Sequence, residues 1–309
     1  MHTKITHVVA GCLTAMVGAV GCSDEIRDEA SHGEGDGGIS AQPERLLGER
    51  GEMGSGRSQT YVELDRDGAP SQIGVTFTSG LLEDLPTHMN ADDPRRCFDT
   101  DGDGSIAAHD ECVGDYEIAL DLPDEVHTQL DVPFQWVSVN WNPLGHLPPA
   151  NPAWGVPHFD FHFYTAEEAT VTAIRPGSCG HLMDCEDYAR AQIPVPPEFV
   201  PPNHQFSAAV PAMGQHMLDT AAPELATPPE APFTHSFLFG AYDGHVIFYE
   251  PMIEYEFLRR SSDACRDIPL PQAWELSGYY PTRACIRTSP ADAAEHSVSL
   301  EDFVYREAQ

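Results

Sequence analysis

The chain has 309 residues, 41% of them hydrophobic, and a formal net charge of -33, with Lys4 as its sole lysine. That length and apolar content supply a sizeable core and exclude a disordered protein. The acidity excludes nucleic acid as a partner, because phosphate recognition needs a basic face.

Residues 1–21 read as a signal peptide: Lys4 carries the positive charge, Val8 to Gly21 is apolar, and small residues lead into Cys22. Ala19-Val20-Gly21-Cys22 resembles a bacterial lipoprotein cleavage box, with leucine more usual where Ala19 stands. Cys22 is thus the candidate lipidation site and the membrane anchor, which places the protein in the bacterial cell envelope, periplasmic or surface-exposed. Residues 22–58 are rich in Gly, Ser, Asp and Glu and read as a lipidated cysteine followed by a flexible acidic tether.

From residue 59 to 309 the texture is that of one β-rich domain. The 27 prolines and 25 glycines set many turns. Runs such as TYVELD, IGVTFT, YEIALDL, FQWVSVNW, HSFLFGAY and HVIFYE carry the Val, Ile, Phe, Tyr and Trp of strands. The expected fold is mainly β (α+β): antiparallel sheet, barrel- or sandwich-like, with few short helices. Asp243-Gly244 marks a hairpin between two of the runs, and Thr165 with Glu168 suggests a capping box at the start of a helix. Beyond Cys22, the six cysteines Cys97, Cys112, Cys179, Cys185, Cys265 and Cys285 fall into three local couples. In an exported chain they read as three disulfides; six cysteines allow about 15 connectivities that sequence does not decide, and proximity favours Cys97 with Cys112, Cys179 with Cys185 and Cys265 with Cys285.

Within residues 97–112, Asp99, Asp101 and Asp103 stand two apart before Gly104, as in the first half of a calcium-binding loop. Ser105 and Asp110 complete the candidate calcium ligands. Asp110 replaces the longer glutamate usual at the closing position, and the competing reading is a solvated acidic turn closed by a disulfide.

The segment HFDFHFY, residues 158–164, alternates polar and aromatic side chains. As a strand it sets His158, Asp160 and His162 on one face and Phe159, Phe161 and Phe163 on the other. On a helix the rings would scatter and leave no apolar stripe. Residues four apart on a strand are separated by about 13 Å, so a single ion pairs Asp160 with either His158 or His162. Other segments then complete the site, with His146, His216, His235, His245 and Glu250 as candidates. Imidazoles with a carboxylate suit zinc, iron or manganese as a divalent transition metal. The alternative is a non-enzymatic structural or homo-oligomeric envelope protein whose histidines bond one another without metal. No GxSxG, HExxH, phosphate loop or dinucleotide fingerprint assigns a reaction.

The blocks VNWNPLGH…PHFDFHFY, PAMGQH and FYEPM resemble an uncharacterised domain family of exported bacterial proteins marked by WNPxGH…PHFDFHFY, PxMGxH and FxEPM, over roughly residues 70 to 305. The resemblance implies a β-rich fold and a polar constellation of His146, His158, Asp160, His162, His216 and Glu250. It implies no reaction.

Overall fold

The computed structural model describes residues 44–146, 152–260, 263–289, 292 and 294–309. The expected signal peptide and lipidation site, residues 1–21 and Cys22, lie outside the described residues. The strands run β1 (Arg45–Met53), β2 (Gly56–Leu64), β3 (Pro70–Thr78), β4 (Tyr116–Asp121), β5 (Trp136–Asn142), β6 (His158–Tyr164), β7 (Pro176–Cys179), β8 (His204–Val210), β9 (Gly214–Asp219), β10 (His235–Tyr242), β11 (His245–Glu254), β12 (Asp263–Asp267), β13 (Gly278–Tyr280), β14 (Arg283–Thr288), β15 (Glu295–Glu301) and β16 (Val304–Arg306). Among the described residues five short α-helices, α1 (Ala108–Glu111), α2 (Asp124–Gln129), α3 (Glu168–Thr172), α4 (Cys185–Ala191) and α5 (Tyr255–Arg260), lie between the strands.

One antiparallel sheet has the order β1-β2-β3-β15-β14-β12 and a second β4-β5-β6-β11-β10-β9-β8, with β13 and β16 forming a small ribbon. Their inner faces share one core: Val62, Ile73, Val75, Phe77, Val298 and Leu300 of the first sheet meet Val137, Val139, Phe159, Phe161, Phe163 and Phe239 of the second. The architecture is therefore a sandwich, and neither sheet closes into a barrel. Apolar residues at every second position on each inner face produce it, since each sheet must bury that face against another layer.

The second sheet is covered on its outer face as well. Val171 of α3, Ile174, Met183, Ala191 of α4 and Met213 pack on Tyr164 and Phe248, while Trp154 and Phe233 pack on Leu238 and Met252. As a result β5 and β6 are buried at every position. Polar residues on that outer face are interior residues.

The three disulfides pair as expected: Cys97–Cys112, Cys179–Cys185 and Cys265–Cys285. Three disulfides are the mark of a protein outside the reducing cytoplasm. Asp243 and Gly244 both take positive φ, 54° and 84°, in the two-residue hairpin between β10 and β11, as a type I′ turn requires.

Two expectations are corrected. The tether to residue 58 ends earlier, because β1 spans Arg45–Met53 and pairs with β2. The glycines that suggested a linker serve close approach: a Cβ at Gly48 would lie 2.7 Å from the Asp121 carbonyl, and one at Gly51 2.8 Å from Leu120. The capping box does not form either. Helix α3 begins at Glu168 without a side-chain cap, and the Thr165 hydroxyl instead donates to the Val246 carbonyl at 3.0 Å.

Candidate metal centre

The site is assembled on the outer face of the second sheet. In the β5–β6 ladder Asn142 faces His158, Asn140 faces Asp160 and Ser138 faces His162, so both strands turn amide, hydroxyl, imidazole and carboxylate groups the same way. The chain leaving β5 turns at Gly145, whose φ of +69° favours glycine and where a Cβ would lie 2.4 Å from the Trp154 carbonyl. The His146 N–H then donates to that carbonyl at 2.9 Å, which brings the imidazole beside His158. Strand β11 supplies Glu250, and β9 supplies His216, which faces Gly240 of β10. With no Cβ at Gly240, the Phe248 ring fits over that strand and packs edge-on against His162 and His216, 4.8 and 5.2 Å between centroids.

All six expected residues gather here, in two groups of three: His146, His158 and Asp160, and His162, His216 and Glu250. In each group the donor atoms lie within 4.8 Å of one another. His162 Nε2 is 3.7 Å from Glu250 Oε1 and His216 Nε2 is 3.7 Å from Glu250 Oε2. His158 Nε2 is 3.4 Å from Asp160 Oδ1, and His146 Nε2 is 3.7 Å from Asp160 Oδ2. Bonds of the usual length to one shared tetrahedral ion set neighbouring donors about 3.4 Å apart, whereas 3.7 Å is too long for a hydrogen bond.

The partners of the other ring nitrogens fix which tautomers are present. His158 Nδ1 faces the Val156 carbonyl at 2.7 Å and His216 Nδ1 the Ala208 carbonyl at 3.2 Å. A carbonyl only accepts, so both Nδ1 atoms carry the proton. His162 Nδ1 lies 3.1 Å from Asn140 Oδ1. The amide of Asn140 cannot be turned round, since its NH2 donates to Asp115 Oδ2 at 2.6 Å and Glu117 Oε2 at 3.2 Å while Ser138 donates to its oxygen. In all three rings Nε2 is therefore a lone pair aimed at a carboxylate. Lone pairs facing carboxylate oxygens repel unless a cation or a proton lies between them, and outer partners that orient imidazoles in this way are the habit of metal sites.

Burial makes the arrangement costly without such a charge. Glu250, His158 and His162 are fully inaccessible. Among the described residues none donates a hydrogen bond to either Glu250 oxygen or to Asp160 Oδ1. Desolvation, with Asp160 nearby, holds the Glu250 carboxyl well above the usual range. Desolvation also raises Asp160 to about 7. It pushes His158 and His216 down to about 4 and, with the His216 charge adding to it, His162 well below its ordinary value. Desolvation thus works against the charged form of every group in the cluster. A bound divalent ion reverses the carboxyl preference.

The structure pairs Asp160 with His158 and gives His162 to Glu250, so the alternative Asp160–His162 pair is not made. His235 and His245 stand apart: His235 stacks on Phe257 at 5.1 Å, and His245 bonds Glu275 at 2.7 Å. The sequence reading missed Ser138, Asn140 and Asn142, although SVNWN repeats the every-second-residue polar pattern of HFDFH. It also missed Arg96, buried beneath them and paired with Asp115 at 3.2 Å and with Glu117.

In the acidic loop Asp99, Asp101 and Asp103 form a third group of close carboxylate oxygens. Asp110 is exposed and outside that group. Its neighbour Glu111 turns inward, accepting from the Thr100 and Ala107 N–H groups at 2.6 and 2.8 Å. The Ser105 N–H donates to Asp103 at 2.7 Å.

Compared with protein-family models, with curated proteins and with solved structures, the chain finds no match.

Proposed function

We propose that the protein is an exported, lipid-anchored metal-binding protein of the bacterial envelope, and that His162, His216 and Glu250 hold a divalent transition ion. The observation that carries this reading is Glu250, fully buried with both oxygens unbonded among the described residues and each 3.7 Å from an imidazole nitrogen. Two imidazoles and one carboxylate suit zinc, iron or manganese and leave coordination positions for water or a substrate. The WNPLGH, HFDFHFY and PAMGQH segments contribute the turn at Gly145, the central strand and His216 to this site.

Zinc is expected to raise the melting temperature of the chelator-stripped protein, since a ligand at 100 times its Kd adds about 2.7 kcal/mol. Glu250→Gln is expected to lose the part of that shift that comes from the ion at His162, His216 and Glu250, so that its shift is smaller than the wild type's. The shift should also grow between pH 5.5 and 7.5. A buried acid whose pKa is raised, as for Glu250 and for Asp160 at about 7, stabilises the metal-free protein below the ordinary carboxylate pKa. That contribution is lost as pH rises through the raised value, while zinc gains the deprotonated ligand. Histidines with depressed pKa act on the metal-free protein in the opposite sense, losing their contribution as pH falls below about 6.5. A zinc shift that is equal at both pH values, or intact in Glu250→Gln, defeats the proposal.

The acidic loop is proposed as a separate calcium site, supported by the convergence of Asp99, Asp101 and Asp103. Millimolar calcium is expected to raise the melting temperature in the wild type and not in the Asp101→Ala/Asp103→Ala variant. A wild-type curve that does not move leaves the loop as a solvated turn.

A further inference from the structure

We infer that the centre holds two transition ions of unequal exchange rate: an enclosed one at His162, His216 and Glu250, and a second at His146, His158 and Asp160 that exchanges with solvent. This rests on the reading above for the enclosed ion and adds a site with its own ligands. His158 and His162 are four residues apart on a regular strand, about 13 Å, so one ion does not serve both. Each has a carboxylate partner of its own, Asp160 for His158 and Glu250 for His162.

The second group cannot satisfy itself. The His158 Nδ1 proton is committed to the Val156 carbonyl, so its Nε2 is an acceptor, 3.3 Å from His146 Nε2 and 3.4 Å from Asp160 Oδ1. A proton on His146 Nε2 reaches His158 Nε2 at 3.3 Å but not Asp160 Oδ2 at 3.7 Å, an oxygen to which the Asn142 amide already donates at 2.8 Å. Neither donor covers Asp160 Oδ1, which is buried and unbonded among the described residues. One cation bound by the three donors resolves all of these conflicts.

Exposure separates the two ions. The His146 side chain is 29% exposed, against 0% for His162 and Glu250 and 11% for His216. An ion beside His146 thus has a ligand at the surface and turns its remaining positions toward water, whereas the ion at Glu250 lies beneath the covering layer. The outer site is where water, hydroxide or a small oxyanion would bind.

The test is to load the chelator-stripped protein with cobalt(II), count ions per chain by native mass spectrometry, and follow their removal by EDTA. Two ions are expected, one leaving at least tenfold faster than the other. His146→Ala and the isosteric Asp160→Asn should each leave one ion, the slow one, and Glu250→Gln should leave one, the fast one. His146 is partly exposed, so its variant is expected to fold, with circular dichroism as the check. A single ion in the wild type, kept by His146→Ala and lost by Glu250→Gln, overturns the second site and leaves the first. Loss of both ions together in His146→Ala, or retention of both, also overturns it. No ion in the wild type overturns the proposed function as well.

Discussion

Arg96→Met is expected to lower stability by about 3–5 kcal/mol, because it leaves two buried carboxylates facing each other without their cation. Arg96 is 1% exposed and bonds Asp115 at 3.2 Å and Glu117, which are 1% and 7% exposed. Although burial works against its charge, these two carboxylates keep the guanidinium ionised. Desolvation and Glu117 already hold the Asp115 carboxyl above its ordinary value in spite of Arg96. Arg95, which also pairs with Asp93 at 2.7 Å, reaches Glu117 at 3.1 Å and not Asp115. A melting temperature lower by on the order of 10 °C is the expected readout, with Arg96→Lys intermediate because an ammonium cannot span both carboxylates as a guanidinium does. The same carboxylates orient Asn140 and, through it, His162, so metal affinity in the folded variant should fall about 10–100-fold. A loss below about 1 kcal/mol with unchanged affinity would refute the account of Arg96 as the support beneath the centre.

Phe161→Ala is expected to have a comparable effect on stability by a different route. Phe161 is fully buried at the middle of β6, stacks with Phe77 of the opposite sheet at 6.3 Å and packs at a tilt against Phe159 at 6.2 Å. Emptying that position removes both the transfer energy and the contacts across the sandwich, about 3–5 kcal/mol. Urea unfolding should show a lower midpoint with an unchanged slope. Because Phe161 faces away from the six ligands, the folded fraction should bind metal as the wild type does. Metal binding lost in step with stability would mean that the two faces of β6 are not separable.

The alternation of HFDFHFY was enough to place three phenylalanines in the core and His158, Asp160 and His162 on one other face, because side chains on a strand alternate whatever its neighbours are. Short separation likewise favoured the three cysteine couples without deciding among the connectivities, and it was enough for the Asp243-Gly244 hairpin, whose strands lie close along the chain. The end of the tether was not legible. Gly48 and Gly51 look the same whether they loosen a linker or let β1 approach β4, and only the packed partner decides between the two. Thr165 was misread for a similar reason, since its hydroxyl found the Val246 carbonyl, 81 residues away, before it could cap a helix.

The six polar residues of the centre were legible by type and motif, yet how they divide was not. Strand geometry allowed Asp160 to pair with either flanking histidine. The choice was made by β11, which sets Glu250 beside His162, and by the turn at Gly145, which returns His146 to His158. Arg96, Asp115 and Glu117 gave no local signal, since a charged residue in sequence reads as surface until a covering layer removes it from water. The sequence alone determined which side chains share a face, because that follows from backbone periodicity, while short separation only favoured the cysteine couples that the structure pairs. Tertiary structure alone decided which carboxylate meets which imidazole, and that the polar face is interior, because both depend on strands and helices brought together from distant parts of the chain.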